Sequence, residues 1–188
     1  LMNGLKNKRI LLTGAGGSIG RATIDRLTAE GCRLVWNDLT ASENKDKLNF
    51  VAGDITVPTD IERIFKTVEK QLGGLDALVN LAAILEPGDG GIGENSLEVF
   101  QKTINTNLTG TFLTCQAAVP MMRQSGAGVI VNLSSVVAHA ASASAQLAYT
   151  SAKGGIEALT REIAIEQARY NIRANCVAPG PVKTKLSV

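Results

Sequence analysis

A chain of 188 residues with 45% hydrophobic residues is long enough for one domain with a sizeable core. Its formal net charge of +2 is spread without a basic block, which leaves no footprint for nucleic acid or an anionic membrane surface. The longest apolar runs, such as "ALVNLAAIL", are too short and too mixed to span a bilayer, and the start "LMNGLKNKRI" carries no signal-peptide core.

The three cysteines, Cys32, Cys115 and Cys176, lie far apart and match no metal spacing, so reduced thiols, a cytoplasmic location and no metal site are expected. Along the chain, strand-like and helix-like segments alternate. "RILLTG" (9–14) reads as a strand, "SIGRATIDRLTAEG" (18–31) as an amphipathic helix closed by Gly31, and "RLVWND" (33–38) and "NFVAGD" (49–54) as strands. A helix follows over 58–74, then a strand over 75–83. The segment 96–126 reads as one long helix bent before Pro120, 127–135 as a strand, 148–171 as a second long helix, and 172–180 as a sixth strand. Strands that alternate with helices and are apolar on both faces predict an α/β fold, a Rossmann-like doubly wound parallel sheet in three layers. No repeat or linker divides the chain, so residues 1–188 are expected to form a single domain.

"TGAGGSIG" (13–20) stands between the first strand and the first helix, where a dinucleotide-binding turn belongs. Gly14 and Gly16 are expected to adopt backbone angles closed to other residues, and Gly17 and Gly20 to allow close packing at the helix start. The helix N-terminus then offers free N–H groups and a partial positive charge to a pyrophosphate. Asp38, at the end of the second strand, can accept hydrogen bonds from ribose hydroxyls and would repel a 2′-phosphate. No Arg or Lys lies in the turn or directly after Asp38, which favours NAD over NADP. Asp54, after the third strand, is a candidate for the adenine edge.

Later motifs make a specific resemblance. "NLAA" (80–83), "NLTGTF" (107–112), "VNLSS" (131–135), "YTSAK" (149–153) and "NIRANCVAPGPVKT" (171–184), following "TGAGGSIG" in this order, resemble the short-chain dehydrogenase/reductase family over nearly the whole chain. The resemblance implies Tyr149 as acid/base and Lys153 beside it, Ser135 bonding the substrate oxygen, and Asn107 holding a water that links Lys153 to solvent. It implies a secondary alcohol or ketone as substrate. It places cofactor contacts at Gly14, Gly16, Gly17, Ser18, Ile19 and Gly20, at Asp38 and Leu39, at Asp54 and Ile55, and at Asn80 and Ala82. Tyr149 and Lys153 complete that surface with Pro179, Gly180, Val182 and Thr184. Elementary chemistry agrees for the pair: residues four apart share a helix face, and an ammonium favours a phenolate whose unperturbed pKa is about 10. Ser134 remains an alternative to Ser135, Asn105 to Asn107, and His139 is expected in a surface loop.

Some features depart from the family pattern. Ser18 lets the turn read as T-G-x-x-G-x-x-G, as in the extended branch of epimerases and dehydratases, and "VNLAA" leans the same way. A sugar-nucleotide epimerase or dehydratase therefore stays an alternative, as does a non-catalytic dinucleotide-binding regulator. The interval from Ser135 to Tyr149 is one residue longer than usual, and the stretch from Asp38 to Asp54 is short for the helix usually found there. The sequence stops at Val188, so a lid, a helix and a last strand are expected to be missing. By resemblance, segments 96–126 and 148–171 pair with their copies in a homodimer or homotetramer.

Overall fold

The computed structural model describes residues 4–40 and 49–183. The stretch where a shortened helix was expected falls mostly in 41–48, and Thr184 falls beyond 183, so both lie outside the described residues. Six strands, β1 (Arg9–Thr13), β2 (Arg33–Asp38), β3 (Phe50–Ala52), β4 (Ala77–Asn80), β5 (Gly128–Leu133) and β6 (Ile172–Val177), form one sheet in the order β3-β2-β1-β4-β5-β6. Every neighbouring pair is parallel. The chain leaves β1 toward β2 on one side and returns to β4 on the other, so a crevice opens beyond the C-terminal ends of β1 and β4.

The strands are buried on both faces, which is why they read as apolar runs rather than alternations. Leu11, Val35, Leu78 and Ile130 pack on one face with Ile61, Ile64, Phe65 and Val68 of α2 (Pro58–Leu72). Cys115, Ala118 and Met122 of α4 (Gly110–Gln124) and Ile163 of α5 (Leu147–Gln167) complete that layer. Ile10, Leu12, Leu34 and Trp36 face the other way, onto Ile24 and Leu27 of α1 (Ser18–Ala29). α2 starts on Pro58, whose missing N–H costs nothing at a helix start, and ends at Gly73 in the left-handed conformation with φ +71°.

The segment 96–126 is not one bent helix. It divides into α3 (Leu97–Ile104), a π-helical turn over Asn105–Thr109, and α4. Pro120 lies inside α4, and the departure from α geometry falls at the π turn. Such turns insert an extra residue into the helical ladder and re-aim the side chains there; here the turn carries the buried Asn107.

One register level of the sheet is polar. Asn37, Thr13, Asn80, Asn132 and Cys176 stand side by side on five adjacent strands. Thr13 Oγ1 and Thr114 Oγ1 donate to Asn80 Oδ1 at 3.1 and 2.9 Å. Asn80 Nδ2 donates to Asn132 Oδ1, and Asn132 Nδ2 to Thr160 Oγ1, each at 2.9 Å. A buried polar row of this kind holds only when its members satisfy one another, and it fixes the strand ends under the crevice.

Candidate active site

The crevice is a cleft of ≈ 580 Å³. Its floor on one side is the glycine turn and the start of α1, with Gly14, Gly17, Ser18, Ile19 and Gly20 all lining it. The N-cap Gly17 supplies no side-chain acceptor, and the first turn of α1 has no acidic residue. Its amide donors and the helix dipole therefore stand ready for an anion.

Gly14 and Gly20 act as the sequence suggests, whereas Gly16 and Gly17 do not. Gly14 does take φ +65°, and a Cβ there would sit 2.3 Å from the amide nitrogen of Ala82. Gly16 has no positive φ; a Cβ there would come 2.8 Å from Asp38 Oδ2. Gly20 is small because a Cβ would fall 2.6 Å from the Ala15 main chain. Gly17 is not needed for packing, since the nearest atom to its Cβ position is 3.6 Å away.

Asp38 binds the turn itself. Its Oδ2 accepts the Gly16 N–H at 2.7 Å and its Oδ1 the Leu39 N–H at 2.8 Å. Each oxygen keeps a lone pair for a ribose hydroxyl. Leu39 is exposed next to it. Asp54 Oδ1 accepts both the N–H and the hydroxyl of Thr56 at 2.8 Å, a local turn. Ile55 belongs to the core and lies against Gly110, so its side chain is not part of the cleft. Asn80 is likewise turned into the polar row rather than into the cleft, where Leu81 and Ala83 take its place. Ala82 packs on Gly14.

The opposite wall brings together Ser135, which the resemblance implied, with Tyr149 and Lys153, which the four-residue spacing put on one face. Tyr149 and Lys153 share one face of α5, and Lys153 Nζ lies 5.3 Å from the centre of the Tyr149 ring. Ser135 stands beside the Tyr149 hydroxyl. Burial pushes the phenol above its ordinary pKa, and the neighbouring Ser135 hydroxyl partly offsets this. The expected lowering by the ammonium is not found: desolvation of the half-buried phenol sets the direction of the shift. Burial instead brings Lys153 down to about 8. Lys153 is 2% exposed, and its Nζ donates to the Leu133 carbonyl at 2.7 Å.

Ser134 also lines the cleft, but its hydroxyl is buried against the Lys153 carbonyl at 3.1 Å and Glu157 Oε1 at 2.8 Å, so Ser135 is the one beside the phenol. His139 is exposed, with Nε2 3.0 Å from Glu157 Oε1. Asn107 is fully buried below the cleft: its Oδ1 accepts the Ile84 N–H and its Nδ2 donates to the Ile84 carbonyl, each at 2.8 Å. Pro179, Gly180 and Val182 close one edge, held by the Val136 N–H on the Pro179 carbonyl at 3.0 Å. The apolar wall of Leu85, Val136 and Val137 was not anticipated, because nothing in the local sequence marks it as facing a cleft.

A Rossmann-type sheet with a glycine turn, and a Tyr-x-x-x-Lys helix across the cleft from it, defines a dinucleotide-dependent oxidoreductase fold. The family model for the short chain dehydrogenases matches residues 8–188, and the chain belongs to that family of NAD(P)-dependent oxidoreductases. It is 34% identical over 190 residues to an uncharacterized oxidoreductase of Thermotoga maritima, covering 96% of this chain and 74% of that protein. It is 33% identical to the 2-(R)-hydroxypropyl-CoM dehydrogenase of Xanthobacter autotrophicus, covering 94% and 75%. Among solved structures, the aldohexose dehydrogenase of Thermoplasma acidophilum superposes with a TM-score of 0.89 at 31% identity, covering 97% of this chain and 69% of that one. Levodione reductase superposes at 0.90 with 29% identity, covering 97% and 74%. No helix of the described residues is long and apolar enough to cross a membrane.

Proposed function

We propose that this protein is an NAD(H)-dependent dehydrogenase that interconverts a secondary alcohol and a ketone, with Tyr149 as the acid/base. The observation that carries the reading is the convergence of Ser135, Tyr149 and Lys153 on the cleft whose other wall is the glycine turn. The residues present fit a dinucleotide: Gly14 and Gly17 bring bare main chain to the cleft, and the N-terminus of α1 has neither a side-chain cap nor a first-turn acid to occupy it. When bound, the nicotinamide supplies the hydride chemistry.

The chain's own residues supply orientation and proton transfer. In the oxidation direction the Ser135 hydroxyl bonds the substrate oxygen, and Tyr149, once its own proton has passed by way of Lys153 to water, takes the substrate's hydroxyl proton as the phenolate. Lys153 spends one N–H on Leu133 and keeps two for the phenol and the nicotinamide ribose. Asn107 fixes the main chain at Ile84 and, with the π turn around it, supports the path by which Lys153 exchanges protons with water. Leu85, Val136 and Val137 exclude water from the reacting centre. Asp38, acidic and already anchored to the glycine turn, favours the 2′-hydroxyl of NAD over the 2′-phosphate of NADP.

Residues 1–188 act as one dinucleotide-binding domain. Two copies associate through α3, α4 and α5, whose Leu97, Phe112 and Ile165 are exposed apolar side chains. Light scattering at micromolar concentration checks this, and a monomer alone counts against it. The activity is tested with the whole natural protein, by following NADH absorbance during oxidation of aldohexoses, hydroxysteroids and cyclic secondary alcohols. NAD-linked turnover that disappears in Tyr149→Phe supports the reading; tight NAD binding with no turnover across the panel supports a regulator instead.

A further inference from the structure

The loop from Leu85 to Asn95 separates β4 from α3 and is rich in glycine, with nothing in its sequence to suggest a task. In the structure it supplies the cap that α5 lacks. The N-cap residue of α5, Gln146, makes no side-chain capping bond. Instead the Ala148 N–H donates to Asp89 Oδ1 at 2.9 Å and the Tyr149 N–H to Asp89 Oδ2 at 2.8 Å. The Leu147 N–H donates to the Gly90 carbonyl at 3.2 Å, and the Thr150 N–H closes the first intrahelical bond to Gln146 at 2.9 Å. All four amides at this helix start are thereby satisfied, three of them from one distant loop.

The carboxylate is itself held. Asn95 Nδ2 donates to Asp89 Oδ1 at 2.6 Å, and the Asp89 N–H closes a turn on the Glu86 carbonyl at 3.0 Å. Glu86 in turn pairs with Lys102 of α3 at 2.7 Å. The negative charge also sits at the positive end of the helix dipole. Tyr149 stands in this first turn, whereas Lys153, a turn further on, is fixed by burial and by Leu133. First turns open more readily than helix interiors, so the clamp matters for the tyrosine more than for the lysine.

We propose that Asp89 is a positioning residue for Tyr149, a bidentate cap delivered from the 85–95 loop that sets where the phenol stands in the cleft. The same clamp ties Leu85, on the cleft wall, to the helix start that carries Gln146 and Tyr149. That Tyr149 is the reacting group rests on the function proposed above; the clamp does not.

The test needs no substrate. Tyr149 and Tyr170 are the two tyrosines of the chain. Tyr170→Phe keeps the ring over which Arg123 stacks and leaves Tyr149 as the reporter. In that background the ultraviolet tyrosinate band is titrated for Asp89, Asp89→Asn and Asp89→Ala, while hydrogen exchange is read at the 148 and 149 amides and NADH affinity by fluorescence. Opening the first turn wets a phenol whose burial holds its pKa up. The inflection is therefore expected to fall toward the ordinary value of about 10 in Asp89→Ala. Asp89→Asn keeps one accepting oxygen and falls between. The two amides exchange at least about tenfold faster in Asp89→Ala, as loss of a helix cap requires, and NADH affinity stays within about twofold. An unmoved inflection overturns the proposal. Equal shifts in the two variants reduce the effect to lost charge and overturn it as well, and so does loss of NADH binding in step with the shift, which marks general unfolding. If Asp89→Ala does not fold, Asp89→Ser, whose single hydroxyl is too short to serve both amides, takes its place. Failure of the oxidoreductase reading would show separately, as absence of turnover in the unmutated protein.

Discussion

Lys153 Nζ stands 5.3 Å from the centre of the Tyr149 ring while donating at 2.7 Å to the carbonyl of Leu133, at the end of β5. A buried ammonium is costly unless it is bonded, and this one uses the last strand carbonyl before Ser134 and Ser135. The bond fixes α5 to β5 at the level where the reaction is proposed to occur.

Burial of this lysine gives stability a definite pH dependence. Its folded pKa is lowered from 10.5 to about 8, so between those values the unfolded chain holds more protons than the folded one. The contribution of Lys153 to stability therefore rises with pH across that window and is flat below it. Tyr149 and Cys176, both raised by burial, act in the opposite sense as they ionise. The comparison is thus the difference between the unmutated protein and Lys153→Met in urea unfolding at a series of pH values. That difference should move in favour of the lysine protein by on the order of 3 kcal/mol from about pH 8 to about pH 10.5. A flat difference would contradict the burial.

Asp38 should set cofactor choice and turn geometry together, because one carboxylate serves both. Asp38→Ala is expected to weaken NADH binding and to shift the NADH/NADPH affinity ratio toward NADPH by roughly tenfold, about 1.4 kcal/mol. Fluorescence titration with both cofactors measures it. Equal or tighter NADPH binding in the unmutated protein would sink the NAD assignment.

Arg9 and Asp76 lock β1 to the turn before β4. The Arg9 Nε and Nη2 donate to the two carboxylate oxygens at 3.1 and 2.7 Å, and the Arg9 main-chain N–H adds a bond at 2.9 Å. Those bonds, above all the guanidinium's, hold the Asp76 carboxyl below its ordinary value of 3.8. Asp76→Ala should cost about 1–3 kcal/mol near neutral pH, the range for hydrogen bonds to charged groups. The sign is that of a depressed carboxylate: the stabilisation is complete above the ordinary value and is lost as pH falls through the folded one. Chemical unfolding of both proteins at neutral and strongly acidic pH checks it; a difference that persists undiminished in acid would rule the ion pair out as its source.

How much of this was legible in the sequence depended on how local the physics is. The parallel sheet, its strands and the sharing of one face by Tyr149 and Lys153 follow from short-range periodicity, and the structure shows them. Gly14 was readable because its turn needs a positive φ; the room that Gly16 leaves for Asp38 was not, since the partner is on another strand. The π turn at Asn105–Thr109 looks helical in sequence because the apolar spacing runs through it. Asn80 sits in a motif associated with the cofactor, yet its side chain is committed to Asn132 and Thr114, neighbours that only sheet register reveals. The Tyr149 pKa was expected to fall on the strength of charge spacing alone; depth of burial, which spacing does not encode, reverses it in the free protein. Asp89 carried no signal at all, because a cap that reaches α5 from the 85–95 loop has no local pattern.

The decisive measurement is turnover of Tyr149→Phe beside its cofactor affinity, made on the whole natural protein. The ring still packs on α5 without its hydroxyl, so NADH affinity should stay within about twofold, while the rate should fall by at least the 10² to 10⁴ typical of acid–base catalysis. A variant that kept more than about a tenth of the rate, less than that range, would show that the Tyr149 hydroxyl does not transfer the proton.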